Sequence, residues 1–132
     1  MPEAIHILCV DDEINILKVI RRQLCDMELE IHTALSAEEG LQFLIRTQPV
    51  QVVISDYRLP GMNGLDFLRQ IDSRWPTTAG VLLTGFADLE VVQGALEQDR
   101  LLTVLHKPWR AEELQKLISE VVNKTTQQVK PS

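Results

Sequence analysis

The feature that most constrains how this 132-residue chain can fold is a strict alternation, repeated five times, of a short apolar run and an amphipathic segment. The apolar runs cover residues 5–10, 29–33, 50–55, 80–83 and 101–105, and they are rich in the branched side chains that strands prefer. The first intervening segment spaces Ile14, Leu17, Ile20 and Leu24 three or four apart. The second opens at Ser36 with Glu39 three residues later, a capping-box pattern, ahead of Leu41, Leu44 and Ile45. A third follows Gly64 with Leu65, Leu68 and Ile71, a fourth covers residues 88–97, and the last aligns Leu114, Leu117, Ile118, Val121 and Val122. A parallel crossover needs a connection of a dozen residues or more, and a helix supplies it. The alternation therefore predicts an α/β fold: a (βα)5 three-layer sandwich, with one parallel sheet covered by helices on both faces.

Residues 29–33 alternate apolar and polar as an edge strand does, while 5–10 and 50–55 are more continuously apolar, as inner strands are. That contrast favours a strand order of 2-1-3-4-5. From about Asn123 the chain turns polar and aperiodic, so a single domain is expected over residues 1–123, with 124–132 a frayed tail or the start of a linker.

Composition removes several classes of function. With 45% hydrophobic and 24% charged residues, this is an ordinary globular chain, and no apolar stretch approaches the roughly 20 residues of a membrane span. The amino terminus has no basic flank ahead of its first apolar run, so it does not read as a secretion signal, and the expected location is cytoplasmic. A net charge of -6, with scattered basic residues, argues against direct nucleic-acid binding. Cys9 and Cys25, one in a strand and one late in a helix, are expected to be reduced and packed. His6, His32 and His106 fall in different strands with no shared ligand spacing, and no role is expected of them. Trp75, beside Pro76, is expected to pack.

The strand ends carry the chemistry. The predicted runs terminate at Asp11-Asp12, Asp56, Thr84 and Lys107, and in an open parallel sheet ligands bind in the crevice beyond the carboxyl ends of the strands. Three carboxylates brought together repel unless a proton or a cation intervenes, and a hard divalent ion such as Mg2+ suits an all-oxygen set. An aspartate can attack phosphorus to give an aspartyl-phosphate, provided that the charge of the transferring group is offset. A lysine ammonium and a threonine hydroxyl can help to offset it. Asp11-Asp12 alone could equally cap a helix, and Lys107 alone could be a solvated surface lysine.

Taken together, Val10-Asp11-Asp12-Glu13, Ile54-Ser55-Asp56-Tyr57, Leu59-Pro60-Gly61-Met62-Asn63-Gly64, Leu83-Thr84-Gly85 and His106-Lys107-Pro108 resemble the receiver domain of two-component response regulators, over residues 5–122. The resemblance implies a flavodoxin-like fold and a signalling phosphoprotein that is not an enzyme in its own right, beyond self-phosphorylation and autodephosphorylation. It implies that Asp56 is the phosphoacceptor and that Asp12 and Asp56 bind Mg2+ directly. Asp11 would act through a metal-bound water and Arg58 through its backbone carbonyl. Lys107 and Thr84 would contact phosphoryl oxygens, small Gly85 would leave room for the group, and Lys107-Pro108 would be cis. The implied partners are a sensor histidine kinase or phosphotransfer protein and an output domain beyond Ser132, with room for a homodimer.

One position departs from the family pattern: Val104 stands where receivers commonly carry a switching aromatic. Trp109 and the segment from Leu83 to Asp88 are similar to receivers that precede cyclic-diguanylate phosphodiesterase or sigma-54-activator domains. Two rivals come from other classes. A phosphohydrolase would usually carry a second acid two residues past the nucleophile, where this chain has Arg58; a docking module independent of phosphate draws support only from Val104.

Overall fold

In the computed structural model, which describes residues 4–47, 49–98 and 103–129, five parallel strands form one sheet in the order β2-β1-β3-β4-β5. The strands are β1 (Ile5–Val10), β2 (Leu29–Ala34), β3 (Val52–Asp56), β4 (Ala79–Thr84) and β5 (Thr103–His106). The helices are α1 (Ile14–Gln23), α2 (Ala37–Arg46), α3 (Gly64–Arg74), α4 (Leu89–Gln98) and α5 (Ala111–Val129), with a short 3-10 turn at Phe86–Asp88. This is the flavodoxin-like α/β sandwich that the alternation predicts.

Strand alternation divides the core in two. Ile7, Cys9, Ile54 and Leu83 face Leu17, Ile20, Leu114 and Ile118 of α1 and α5. Leu8, Val10, Val53 and Leu82 face Leu44, Phe67, Leu68, Ile71 and Val92 of α2, α3 and α4. Each fully buried aliphatic or aromatic side chain contributes roughly 1.5–3 kcal/mol of transfer free energy, which is what fixes both layers to the sheet. All of β3 is buried, whereas β2 is largely half-exposed, as inner and edge strands should be.

Local signals hold where they have a mechanism. Ser36 Oγ accepts the Glu39 amide at 3.1 Å, and the Glu39 carboxylate accepts the Leu35 amide at 2.7 Å, so the capping pattern does start α2. Asn63 caps α3 in the same way, its side chain accepting the Asp66 amide at 2.9 Å.

The polar stretch after Asn123 continues α5 to Val129, and two other expectations are corrected. Thr125 is buried, and its hydroxyl donates to the Val121 carbonyl at 2.9 Å, so a polar side chain is satisfied within the helix. Cys25 is exposed rather than packed, because α1 ends at Gln23 and the neighbouring Leu24 takes the fully buried position. His6 and His32 are not separate: parallel register sets His6 beside Glu30, with His32 two residues further along the same face of β2. Their Nδ1 and Nε2 atoms lie 3.0 Å apart. Residues 101 and 102, assigned to the last strand from sequence, lie outside the described residues.

Candidate functional site

Four strands and their exits converge at the carboxyl edge of the sheet. Val10 pairs with Ser55 and Asp56 with Leu83, so Asp11 leaves β1 beside the end of β3. Thr84 pairs with His106, and the Lys107 amide donates to the Thr84 carbonyl at 2.8 Å, which brings the last strand's exit to the same edge. Among the described residues, Asp11, Asp12 and Asp56 can each offer a carboxylate oxygen within 4.8 Å of the others. Lys107 Nζ lies 2.9 Å from Asp56 Oδ1, a charge-assisted hydrogen bond.

The pocket is built with an electrostatic deficit. Asp11 and Asp56 are buried and Asp12 is exposed. One oxygen of Asp11 accepts the Glu13 amide at 2.9 Å at the start of α1, while Oδ2 has no hydrogen-bond partner among the described residues. Burial lifts the Asp11 carboxyl from 3.8 to about 6; the Glu13 amide opposes this, and the charge of Asp56 adds to it. A buried, unsatisfied carboxylate oxygen next to two more carboxylates is expensive unless a cation occupies the gap. The donors are all hard oxygens with an exposed member open to water, which fits a magnesium-sized ion that keeps part of its hydration shell.

Backbone packing aims the central acid. Gly64 opens α3 directly against Asp56: a Cβ there would run into the Asp56 carbonyl, with its carbon only 2.8 Å away. The Gly64 amide donates to the Tyr57 carbonyl and the Tyr57 amide to the Leu83 carbonyl, at 2.8 and 2.9 Å, so the chain turns tightly after β3. Gly61, at φ 78°, takes the left-handed conformation that this turn needs. The Lys107-Pro108 peptide is cis.

The remaining residues singled out from sequence fall on the same edge with differing contacts. The buried Thr84 hydroxyl donates to the Gly85 carbonyl at 3.3 Å. A Cβ on Gly85 would meet nothing within 4 Å, so the chain beside Thr84 is sterically open. Val104 is half-buried and packs on the α2–α4 side of the core. Arg58 has a side-chain partner that the sequence did not reveal. Its Nε and Nη2 both donate to the Asp88 carboxylate at 2.8 Å, linking the loop after β3 to the turn after β4. The two lie 30 positions apart, and only knowledge that both loops leave the same sheet edge could have paired them.

A doubly wound parallel sheet that gathers an acid cluster and one amine at its carboxyl edge defines a class of ion- and phosphate-handling α/β modules. The model of the response regulator receiver domain family matches residues 7–119, and the chain belongs to that family, which serves two-component signalling. The hydrogenase transcriptional regulatory protein HoxA of Cupriavidus necator is 33% identical over 116 residues, covering 88% of this chain and 24% of its own length. The DNA-binding transcriptional regulator NtrC of Klebsiella pneumoniae is 33% identical over 122 residues, covering 92% of this chain and 26% of its own. The chain thus spans about a quarter of these relatives. A response regulator receiver domain from Clostridium thermocellum superposes with a TM-score of 0.85 at 33% identity, covering 95% of this chain and 99% of that one. No helix among the described residues is long and apolar enough to cross a membrane.

Proposed function

We propose that Asp56 accepts a phosphoryl group from the phosphohistidine of a sensor kinase or phosphotransfer protein, in a magnesium-dependent reaction. The observation that carries this reading is Lys107 Nζ at 2.9 Å from Asp56 Oδ1, beside the unsatisfied oxygen of Asp11. With Oδ1 held by the ammonium, Oδ2 of Asp56 is the oxygen left to attack phosphorus. An oxygen–phosphorus bond forms, the phosphorus–nitrogen bond to the donor imidazole breaks, and that imidazole leaves with the bonding pair. Lys107 would move from the carboxylate to a phosphoryl oxygen, and the Thr84 hydroxyl would exchange the Gly85 carbonyl for another. Asp12 and Asp56 would hold the magnesium ion directly, Asp11 through a water, and Arg58 through its backbone carbonyl. The bound ion would supply positive charge to offset that of the incoming group.

The module turns over no external substrate; hydrolysis of its own aspartyl-phosphate resets it. The added charge would shift a two-state equilibrium and change a binding surface. Because the family relatives extend well beyond a receiver, residues 1–123 serve as the phosphoacceptor unit in this reading. The helical stretch from 124 would then lead toward an output domain, in the cytoplasm.

Incubation with a small phosphodonor and magnesium, followed by intact-mass measurement, should show one phosphoryl group on the parent chain and none on Asp56→Asn. An unmodified parent would reject the assignment.

A further inference from the structure

At the opposite end of β1 lies a second cluster that the phosphoacceptor chemistry does not use. Asp11 follows His6 by five residues, roughly 16 Å along a strand, so the two ends are separate sites. His6 Nδ1 lies 3.0 Å from His32 Nε2 and 3.4 Å from Glu30 Oε2, and ligating atoms of all three residues fall within 4.8 Å of one another. We propose that His6, Glu30 and His32 form a binding site for a zinc-class divalent transition metal on the edge strand of the sheet.

Geometry supports this first. The two imidazole planes differ by 13° with centroids 5.3 Å apart, so with nitrogens at 3.0 Å the rings meet edge to edge, and two ring nitrogens share one proton. Zinc takes imidazole nitrogen at about 2.0–2.1 Å and carboxylate oxygen at about 2.0–2.2 Å, which puts two ligands of a tetrahedral ion roughly 3.3–3.5 Å apart. The His6–Glu30 separation already has that value. The His6–His32 separation must widen by only a few tenths of an ångström, with the rings turning toward Glu30. The ion takes the place of the shared proton, which passes to the other nitrogen of its own ring. Two histidines and one carboxylate leave a fourth position for water.

The surroundings hold the ligands in place. The His6 backbone is fixed on both sides by Gln51, whose side-chain oxygen accepts the His6 amide at 2.7 Å and whose amide donates to the His6 carbonyl at 2.9 Å. Phe43 of α2 lies against the His32 ring with centroids 4.7 Å apart. Burial, then the neighbouring His6, lowers the His32 pKa; Glu30 opposes this and Arg21 adds to it. The Glu30 side chain is 59% exposed, so an ion can reach the site from solvent.

The test is titration of the full chain with Zn2+ by calorimetry and with Co2+ by visible absorption, each in parent, Asp56→Asn, His32→Gln and Glu30→Gln. The expected result is one equivalent with a four-coordinate cobalt spectrum in the parent, retained in Asp56→Asn, distinct from any six-coordinate binding at the acid cluster, which Asp56→Asn weakens. Affinity should fall about tenfold or more in His32→Gln and severalfold in Glu30→Gln. Circular dichroism in chelated buffer checks that His32→Gln is folded, and Glu30→Gln alters only an exposed carboxylate. Affinity equal in all four proteins, or lost in Asp56→Asn but kept in His32→Gln, would overturn the proposal.

Discussion

At its carboxyl end β1 delivers Asp11 and Asp12 into a pocket where three carboxylates meet one ammonium, whereas at its amino end it sets His6 against a second imidazole and one carboxylate. In the first cluster one buried oxygen of Asp11 has no hydrogen-bond partner among the described residues. The second can be neutral at its rings, each satisfied by the other through one proton. Negative charge that burial has left uncompensated favours a bound cation. Self-satisfied imidazoles demand nothing, and take a softer metal only by giving up their hydrogen bond. The same strand thus offers two donor chemistries, kept apart by its own length.

The largest contrast should appear in how each end is supported. Gly64→Ala forces a methyl against the Asp56 carbonyl, where backbone rather than a flexible side chain must give way. A loss of about 3 kcal/mol is expected from the denaturant midpoint, together with slower phosphoryl acceptance because Asp56 shifts. At the other end, Gln51→Ala removes one side-chain hydrogen bond to the His6 amide and should cost only about 1 kcal/mol. Equal losses would mean that Gly64 does not position Asp56.

Next in size is the response of the acid cluster to magnesium. A carboxyl whose folded pKa is raised binds its proton more tightly in the folded state. For Asp11 the cost of ionisation is therefore absent below about 3.8, develops up to about 6, and is complete above that. In chelated buffer at pH 7, Asp11→Asn should stabilise the fold by about 1–3 kcal/mol, an advantage that shrinks as the pH falls toward 4. Magnesium should reverse the order: the parent gains about 1–3 kcal/mol when free metal is tens of times its dissociation constant, and the variant gains less. A parent whose melting temperature ignores magnesium, and which is not outdone by Asp11→Asn, would dismantle the charge-deficit account.

The two ends also differ in how far the sequence discloses them. Asp11-Asp12, Asp56, Thr84 and Lys107 each close an apolar run, so one rule about strand ends is enough to gather them. The strand order followed from the alternation in residues 29–33 against the continuous runs beside it. His6, Glu30 and His32 needed the register of β1 on β2, a tertiary fact that no local pattern encodes. Arg58 and Asp88 needed the path of two loops. The helix over residues 123–128 stayed hidden because these residues are polar and carry no apolar spacing; the stretch continues an existing helix, with the buried Thr125 hydroxyl satisfied by the Val121 carbonyl.

The smallest expected effect concerns the clasp between the loops at the carboxyl edge. Arg58 is 71% exposed along its side chain and Asp88 12%, so water screens the guanidinium while the carboxylate relies on it. Arg58→Ala should leave the denaturant midpoint close to the parent's, because the ion pair is open to solvent on one side. Its local effect should be larger than its global one. The Asp88 amide donates to the Gly85 carbonyl at 3.2 Å and the Leu89 amide to the Phe86 carbonyl, the bonds that close the turn held by the clasp. Hydrogen exchange at these two amides should quicken severalfold in Arg58→Ala, while exchange along β1 and β2 around His6 and His32 stays as in the parent. Uniform acceleration across the sheet would show that the pair supports the whole fold. No acceleration at Asp88 and Leu89 would show that it holds nothing, and the carboxyl edge would then owe its shape to β3, β4 and Gly64 alone.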